Sequence, residues 1–311
     1  MKGEYHEYPV LEHHDGQRLD NFLMREHRKV PKSLLYRLMR TGRIRVNGHK
    51  AKPELRLEIG DKISMPVVIE PEKQAMTSVS EGLSQHLKQA VLFESSEYLI
   101  LNKPAGLAVH GGTDQSQGLI ESVRLIFEKS QHWELAHRID KETSGCIVIA
   151  KKRQALLHFQ DCLKTPEGVR KTYHLLVMGR WPKAVHKVEL PLYKSESLHG
   201  HVVRVDKIKG KYACTTFEIL KSFPQTTLLS AHLKTGRTHQ IRVHSAAIGC
   251  PIVGDPRYSQ IKPLPTQFNR EIPRMFLHAQ HLKFHTSSGE LISVEAPFDE
   301  IWIRGLHALS Q

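Results

Sequence analysis

Two short segments concentrate groups able to do acid, base or anion chemistry. The first, LAHRIDKETSGCIVIAKK from Leu135, sets His137, Arg138, Asp140, Thr143, Ser144 and Gly145 just before a hydrophobic run. A carboxylate held in a loop at the start of a strand, beside cations and hydroxyl donors, is how a protein keeps an acid charged and aimed. Taken alone, Asp140 fits a plainer role as well, accepting hydrogen bonds from the turn Lys141 to Gly145 and shaping it. The second segment, KTGRTHQIRVHSAAIGCPIVGDPRY from Lys234, places Arg237, His239 and Arg242 around an expected helix start with Thr238 as its N-cap. Arg242, one turn along, would face the same site as that helix start, unless it and Arg237 are ordinary surface cations. Tyr173, in RKTYHLLVMG, falls inside a strand-like run, where a buried structural tyrosine is the commoner explanation.

These residues need a scaffold, and the chain's patterning supplies one. The runs VLFES, EYLILNK, GCIVIAKK, TYHLLVMG, KVELPLY, HVVRVD, ACTTFEIL, TTLLSAHL, HLKFHT and LISVEAP have strand character. Helical spacing recurs at Ala155, Leu156, Phe159, Cys162 and Leu163, and from Thr238 to Ile248 ahead of Gly249 and Pro251. Many strands joined without intervening helices predict a mixed, mainly antiparallel sheet with flanking helices. The glycine-rich NKPAGLAVHGG, Asn102 to Gly112, follows a strand but has neither the Walker A pattern nor GxGxxG. It reads as a loop lining the site and not as a nucleotide cradle.

Upstream lies a second module, marked by charge. From Arg18 to Met65 there are 13 Lys or Arg against 5 Asp or Glu, a net of +8 out of +13 for the whole chain. Leu19, Phe22 and Leu23 form one helical stripe, and Leu34, Leu35, Leu38 and Met39 another, with Pro31 in the first turn and Gly42 ending the second helix. Asn47-Gly48 between short β-prone runs predicts a tight hairpin. Lys32, Arg37, Arg40, Arg43 and Arg45 supply the polar side, which suits phosphate contact. An idle solvated surface of the same composition is the alternative.

At 311 residues with 40% hydrophobic content the chain is sized for about two domains. No stretch approaches the roughly 18 apolar residues that cross a bilayer, and the start, MKGEYHEYPVLEHH, lacks a signal-peptide core. Cys146, Cys162, Cys214 and Cys250 share no metal or disulfide spacing and are expected as small hydrophobes of a reduced, cytoplasmic protein. None of the 21 histidines falls in a metal motif; His13 and His14 are expected in a solvated loop, and no metal is expected. The expected layout is an N-terminal arm over residues 1–17, a basic domain over 18–66, a linker with a short helix over 67–89, and a catalytic domain over 90–311.

The basic segment resembles the S4 RNA-binding module in RLDNFL, in VPKSLLYRLMRTGRIRVNG and in LEIGDKISMP. The larger part resembles the RluA family of RNA pseudouridine synthases in NKPAGLAVHGG, HRIDKETSG, KTYHLLVMG, GRTHQIRVH and GCPIVGDPRY, in that order between Leu92 and Pro297. Ile139 stands where the family usually has leucine, and Ser259 follows GDPRY where glycine is frequent; both are minor exchanges. The resemblance implies an α+β fold, a small S4 domain followed by a larger synthase domain, and no cofactor. Asp140 would be the catalytic aspartate, Tyr173 the ring that packs on the target uracil, and Arg242 the cation paired with the aspartate. Arg138 would enter the helix the base has left, with His137, Arg237 and Thr143 as further substrate contacts. The implied substrate is large-subunit (23S) ribosomal RNA; separately from the resemblance, the chain is expected to be a monomer. The alternatives are a transfer-RNA-directed synthase and a non-catalytic S4 ribosome-assembly factor. A glycoside hydrolase would need two facing carboxylates, and Glu142 lies only two residues from Asp140.

Overall fold

The computed structural model describes residues 5–27, 30–68, 78–111, 118–165, 167–197, 200–259 and 274–309. They form two compact units, Met1–Thr77 and Ser78–Gln311.

In the first unit, β1 (Tyr5–Pro9), α1 (Leu19–Glu26), α2 (Lys32–Arg40), β2 (Arg45–Val46), β3 (His49–Lys50) and β4 (Lys62–Pro66) make a two-helix layer and a sheet ordered β1-β4-β2-β3. The two predicted apolar stripes form its core: Leu19, Phe22, Leu23, Leu35, Leu38 and Met39 are buried. Each such side chain contributes about 1.5–3 kcal/mol when fully withdrawn from water. The predicted hairpin is present, with Asn47 at φ 51° and Gly48 at φ 78°, the paired left-handed residues that match strand twist. Asn47 also bridges to β4 through Asp61 and the Lys62 N–H, so the turn is tied down.

Three expectations are corrected here. Residues Tyr5–Pro9 are no arm but an edge strand paired with β4, held by backbone hydrogen bonds that polar residues satisfy as well as apolar ones. Pro31 is the N-cap and not a first-turn residue. His14 is buried, its ring edge-on to Phe22 at 4.8 Å and its Nδ1 accepting from the Leu11 N–H at 3.2 Å.

The second unit comprises α3 (Glu81–Gln89), β5 (Val91–Glu94), β6 (Tyr98–Lys103), α4 (Leu119–Ile126), β7 (Glu134–Leu135), β8 (Ser144–Ala150), α5 (Arg153–Cys162), β9 (Val169–Met178), β10 (Lys187–Glu189), β11 (Leu192–Ser197), β12 (Gly200–Val205), β13 (Cys214–Ser222), β14 (Thr226–Leu233), α6 (Gln240–Ala247), β15 (Leu277–His285), β16 (Leu291–Glu295) and α7 (Glu300–Ala308). Ten strands form one sheet along the path β10-β13-β14-β9-β15-β8-β6-β5, with β16 on β15 and β7 on β8. Every pairing is antiparallel except β15 with β8. The mixed, mainly antiparallel sheet is therefore as predicted. All seven residues of β8 are buried, as a strand covered on both faces requires. KVELPLY, read as one run, divides at Pro191: β10 joins the large sheet and β11 pairs with β12 in a separate hairpin. Proline carries no N–H for a ladder, so the chain changes partners there.

Candidate active site

Strand register brings the two chemical segments together. On β9, Tyr173 lies between Ala231 of β14 and Ala279 of β15, so small neighbours leave space beside its ring. Ala279 also pairs with Gly145 at the start of β8. Gly145 has φ +106°, and a Cβ there would lie 2.3 Å from the Ala279 carbonyl oxygen. Only glycine permits that approach, and it brings the turn carrying Asp140 against the strand carrying Tyr173. The turn itself closes through the Thr143 N–H donating to the Asp140 carbonyl at 3.1 Å.

The NKPAGLAVHGG segment supports this turn from behind; among its described residues, 102–111, none lines the pocket, and Gly112 lies outside the described residues. Lys103 is fully buried and donates from Nζ to the carbonyls of Pro104 (2.7 Å), Leu107 (2.8 Å) and Lys141 (3.0 Å). Burial lowers its ammonium to about 7, against the opposing pull of Glu142 and Asp140. The site-lining reading is thus corrected: a buried lysine folds the loop inward onto Lys141.

The second segment also departs in detail. The N-cap of α6 is His239, in the left-handed region at φ 54°, not Thr238. Gln240 explains why. Its side chain accepts from the Arg237 N–H and the Thr235 hydroxyl and donates to the Cys214 carbonyl and Thr215 hydroxyl, all between 2.7 and 3.0 Å. Four hydrogen bonds to one buried amide outweigh the strain of one αL residue, about 1–3 kcal/mol.

Arg242 follows two residues later, in the first turn of α6, and its side chain is 4% exposed. It donates from Nη1 to Asp140 Oδ2 at 3.0 Å, and from Nε and Nη2 to the two oxygens of Asp255 at 2.8 and 2.9 Å. Burial works against its charge, but the Asp255 hydrogen bonds and the charges of Asp255 and Asp140 outweigh it, so its affinity for the proton is raised. The Tyr258 ring lies 5.1 Å from the guanidinium carbon. Tyr258 accepts from the Val203 N–H at 3.2 Å, and its hydroxyl is hydrogen-bonded to His239 Nδ1 at 2.8 Å. Burial lowers His239 to about 4 despite Asp140, so the ring is neutral near pH 7, with its Nε2 3.8 Å from Asp140.

All seven residues assigned to the catalytic unit border one open pocket of about 370 Å³: Asp140, Tyr173, Arg242, His137, Arg138, Arg237 and Thr143. Tyr173 is buried, and burial raises its phenol well above the ordinary value, with Asp140 adding to the effect. It therefore offers a neutral flat ring. Arg138 and Arg237 are exposed at the rim, and Arg237 is anchored by Nε on the Tyr212 carbonyl. His137 stacks on Phe159, and its Nε2 accepts from the Val148 N–H at 3.1 Å. Burial lowers it to about 3, so it is a neutral wall tied to β8. Sequence reasoning missed Asp255, Tyr258, Gln240, Lys103 and Lys171. GDPRY was noticed as a motif, but nothing in the spacing showed that Asp255 reaches back 13 residues to Arg242.

The model for RNA pseudouridylate synthases matches residues 97–247, and that for S4 domains residues 17–63. "Ribosomal large subunit pseudouridine synthase C" of Escherichia coli K12 is 41% identical over 300 residues, covering 92% of this chain and 90% of that protein. This chain belongs to the RNA pseudouridine synthase family. The Vibrio parahaemolyticus synthase of the same name is 41% identical over 287 residues, covering 91% of this chain and 90% of its own. The solved "Human RNA Pseudouridylate Synthase Domain Containing 4" shares the synthase fold at TM-score 0.62 and 23% identity, over 74% of this chain and 96% of that one.

In the S4 unit, Lys32, Arg37, Arg40, Arg43 and Arg45 are all exposed. Arg37 and Arg43 border one shallow groove with Leu34, Leu38, Thr41 and Val67. Arg45 turns back onto the carbonyls of Gly42 and Gly48, which braces the hairpin. No described helix is long and apolar enough to cross a membrane.

Proposed function

We propose that this chain converts uridines of large-subunit ribosomal RNA to pseudouridine, acting as a monomer in the cytoplasm, with Asp140, Tyr173 and Arg242 as its catalytic residues. The observation that carries the reading is the Asp140 carboxylate, 3.0 Å from a guanidinium that Asp255 locks from behind, in a pocket walled by Tyr173. Relatives across nine-tenths of the chain bear the name of a large-subunit synthase.

The reaction breaks the bond from ribose C1′ to uracil N1, leaving the electron pair on the ring. After the ring turns, C5 bonds to C1′ and gives up its proton, and N1 takes one, so the product is an isomer. Asp140 acts on the sugar, at C1′ or at the 2′ hydrogen; Arg242 holds it in place, and positioning of this kind contributes to rate by itself. Extruding the base costs about a few kcal/mol. Tyr173 offsets part of this by stacking on uracil, and Arg138, exposed at the rim, fills the vacated space. His137, Arg237 and Thr143 complete the walls, and the S4 cations contact phosphates.

Asp140→Asn is nearly isosteric and uncharged. It is expected to keep RNA affinity within about threefold while abolishing isomer formation. Tritium release from C5-labelled uridine in ribosomal RNA measures this, and normal turnover by the variant sinks the assignment. Mapping pseudouridine in cells with and without the gene tests the substrate: sites lost from transfer RNA alone would redirect the reading.

A further inference from the structure

Lys171 sits two residues before Tyr173 on β9, so both side chains leave the same face of the strand and border the same pocket. It is largely withdrawn from water, and burial lowers its ammonium below the ordinary lysine value. Leu163 and Leu233 border the same pocket, and on β15 the residue paired with Lys171 is the buried Leu282. Among the described residues no carboxylate or carbonyl lies within bonding distance of its Nζ. A cation held among leucines without a counter-charge costs several kcal/mol unless a ligand supplies one.

Building on the function proposed above, we infer that Lys171 is a further catalytic residue: its ammonium donates to a carbonyl oxygen of the flipped uracil and offsets the negative charge left on the ring when the C1′–N1 bond breaks. Tyr173 places the ring, and Lys171 stands on the same strand face beside it. Arg138 and Arg237 border the same pocket but are exposed, whereas Lys171 is only partly exposed. Lysine carries only donors, so it suits a ring with carbonyls at both positions 2 and 4. The broken bond's electron pair spreads over N1 and those two oxygens, and stays there until C5 bonds to C1′ and N1 takes a proton.

Single-turnover rates with Lys171→Met test this. Removing one donor aimed at developing charge typically costs about 100-fold, so a loss of that order is expected, with RNA affinity unchanged within about threefold. RNA carrying 5-fluorouridine supplies a readout that a structural role would not move. Fluorine stabilises the ring anion, so the deficit in glycosidic cleavage should shrink about tenfold on that substrate. Lys171→Arg should recover much of the rate, and Lys171→Gln, which keeps a donor without the charge, reports the same substrate dependence if the Met variant misfolds. Equal deficits on both substrates, a rate within about threefold of wild type, or a loss confined to affinity overturns the inference. Wild-type protein runs in parallel: if it makes no pseudouridine, the proposed function fails, whereas an active wild type beside an unimpaired variant removes only Lys171.

Discussion

Arg242 divides its guanidinium between two acids. One edge, Nε and Nη2, is taken by Asp255, 1% exposed, which leaves Nη1 aimed at Asp140. Asp255 is in turn held by the N–H groups of Arg257 and Tyr258 at 2.8 and 3.1 Å. The consequence is a cation that cannot swing away from the carboxylate it serves. Asp255→Asn should therefore reduce single-turnover rate about 10- to 100-fold with RNA affinity little changed, and cost about 3 kcal/mol of stability, because it removes one charge from a buried pair. Rapid-quench kinetics and urea denaturation measure the two effects; a variant with wild-type rate would show that Asp140 alone suffices to orient Arg242.

At the scale of elements, the site depends on three close approaches. Gly145 lets β8 meet β15, Ala231 and Ala279 flank Tyr173, and Lys103 draws the loop after β6 under the Asp140 turn. The first of these has the least tolerance. Gly145→Ala adds a methyl 2.3 Å from a backbone oxygen at a φ that L residues rarely adopt. The expected outcome is a loss of about 3 kcal/mol or more in unfolding free energy, together with loss of activity, since the strand pair must separate to admit it. Thermal unfolding of the purified variant reads the first, and a stable variant would mean that β8 and β15 yield more easily than their packing indicates.

For the whole molecule, the proposed function assigns attachment to the charge gathered in the S4 unit and chemistry to the pocket of the second unit. Arg37→Ala with Arg43→Ala removes two exposed cations from one groove without touching the pocket. The double variant should bind RNA more weakly, with a slope of log affinity against log salt reduced by roughly one to two, and should keep its maximal rate at saturating RNA. Filter binding at several salt concentrations and turnover at saturation check this; an unchanged slope would remove that groove from the RNA contact surface.

What could be read along the chain was local or periodic. The Asn47-Gly48 hairpin, the stripes of α1 and α2, the strand runs and the mainly antiparallel character all follow from interactions between residues a few positions apart. The residue types at the site were visible for the same reason, because they cluster in short motifs. Tertiary structure decided which of them meet. Asp140 and Arg242 are 102 positions apart, and their contact depends on which strand pairs with which. Long-range burial also chose His239 over Thr238 as the cap, since Gln240 finds its partners on β13, and it turned NKPAGLAVHGG into a support through Lys103. No local propensity encodes a hydrogen bond to a strand that folds in from elsewhere in the chain.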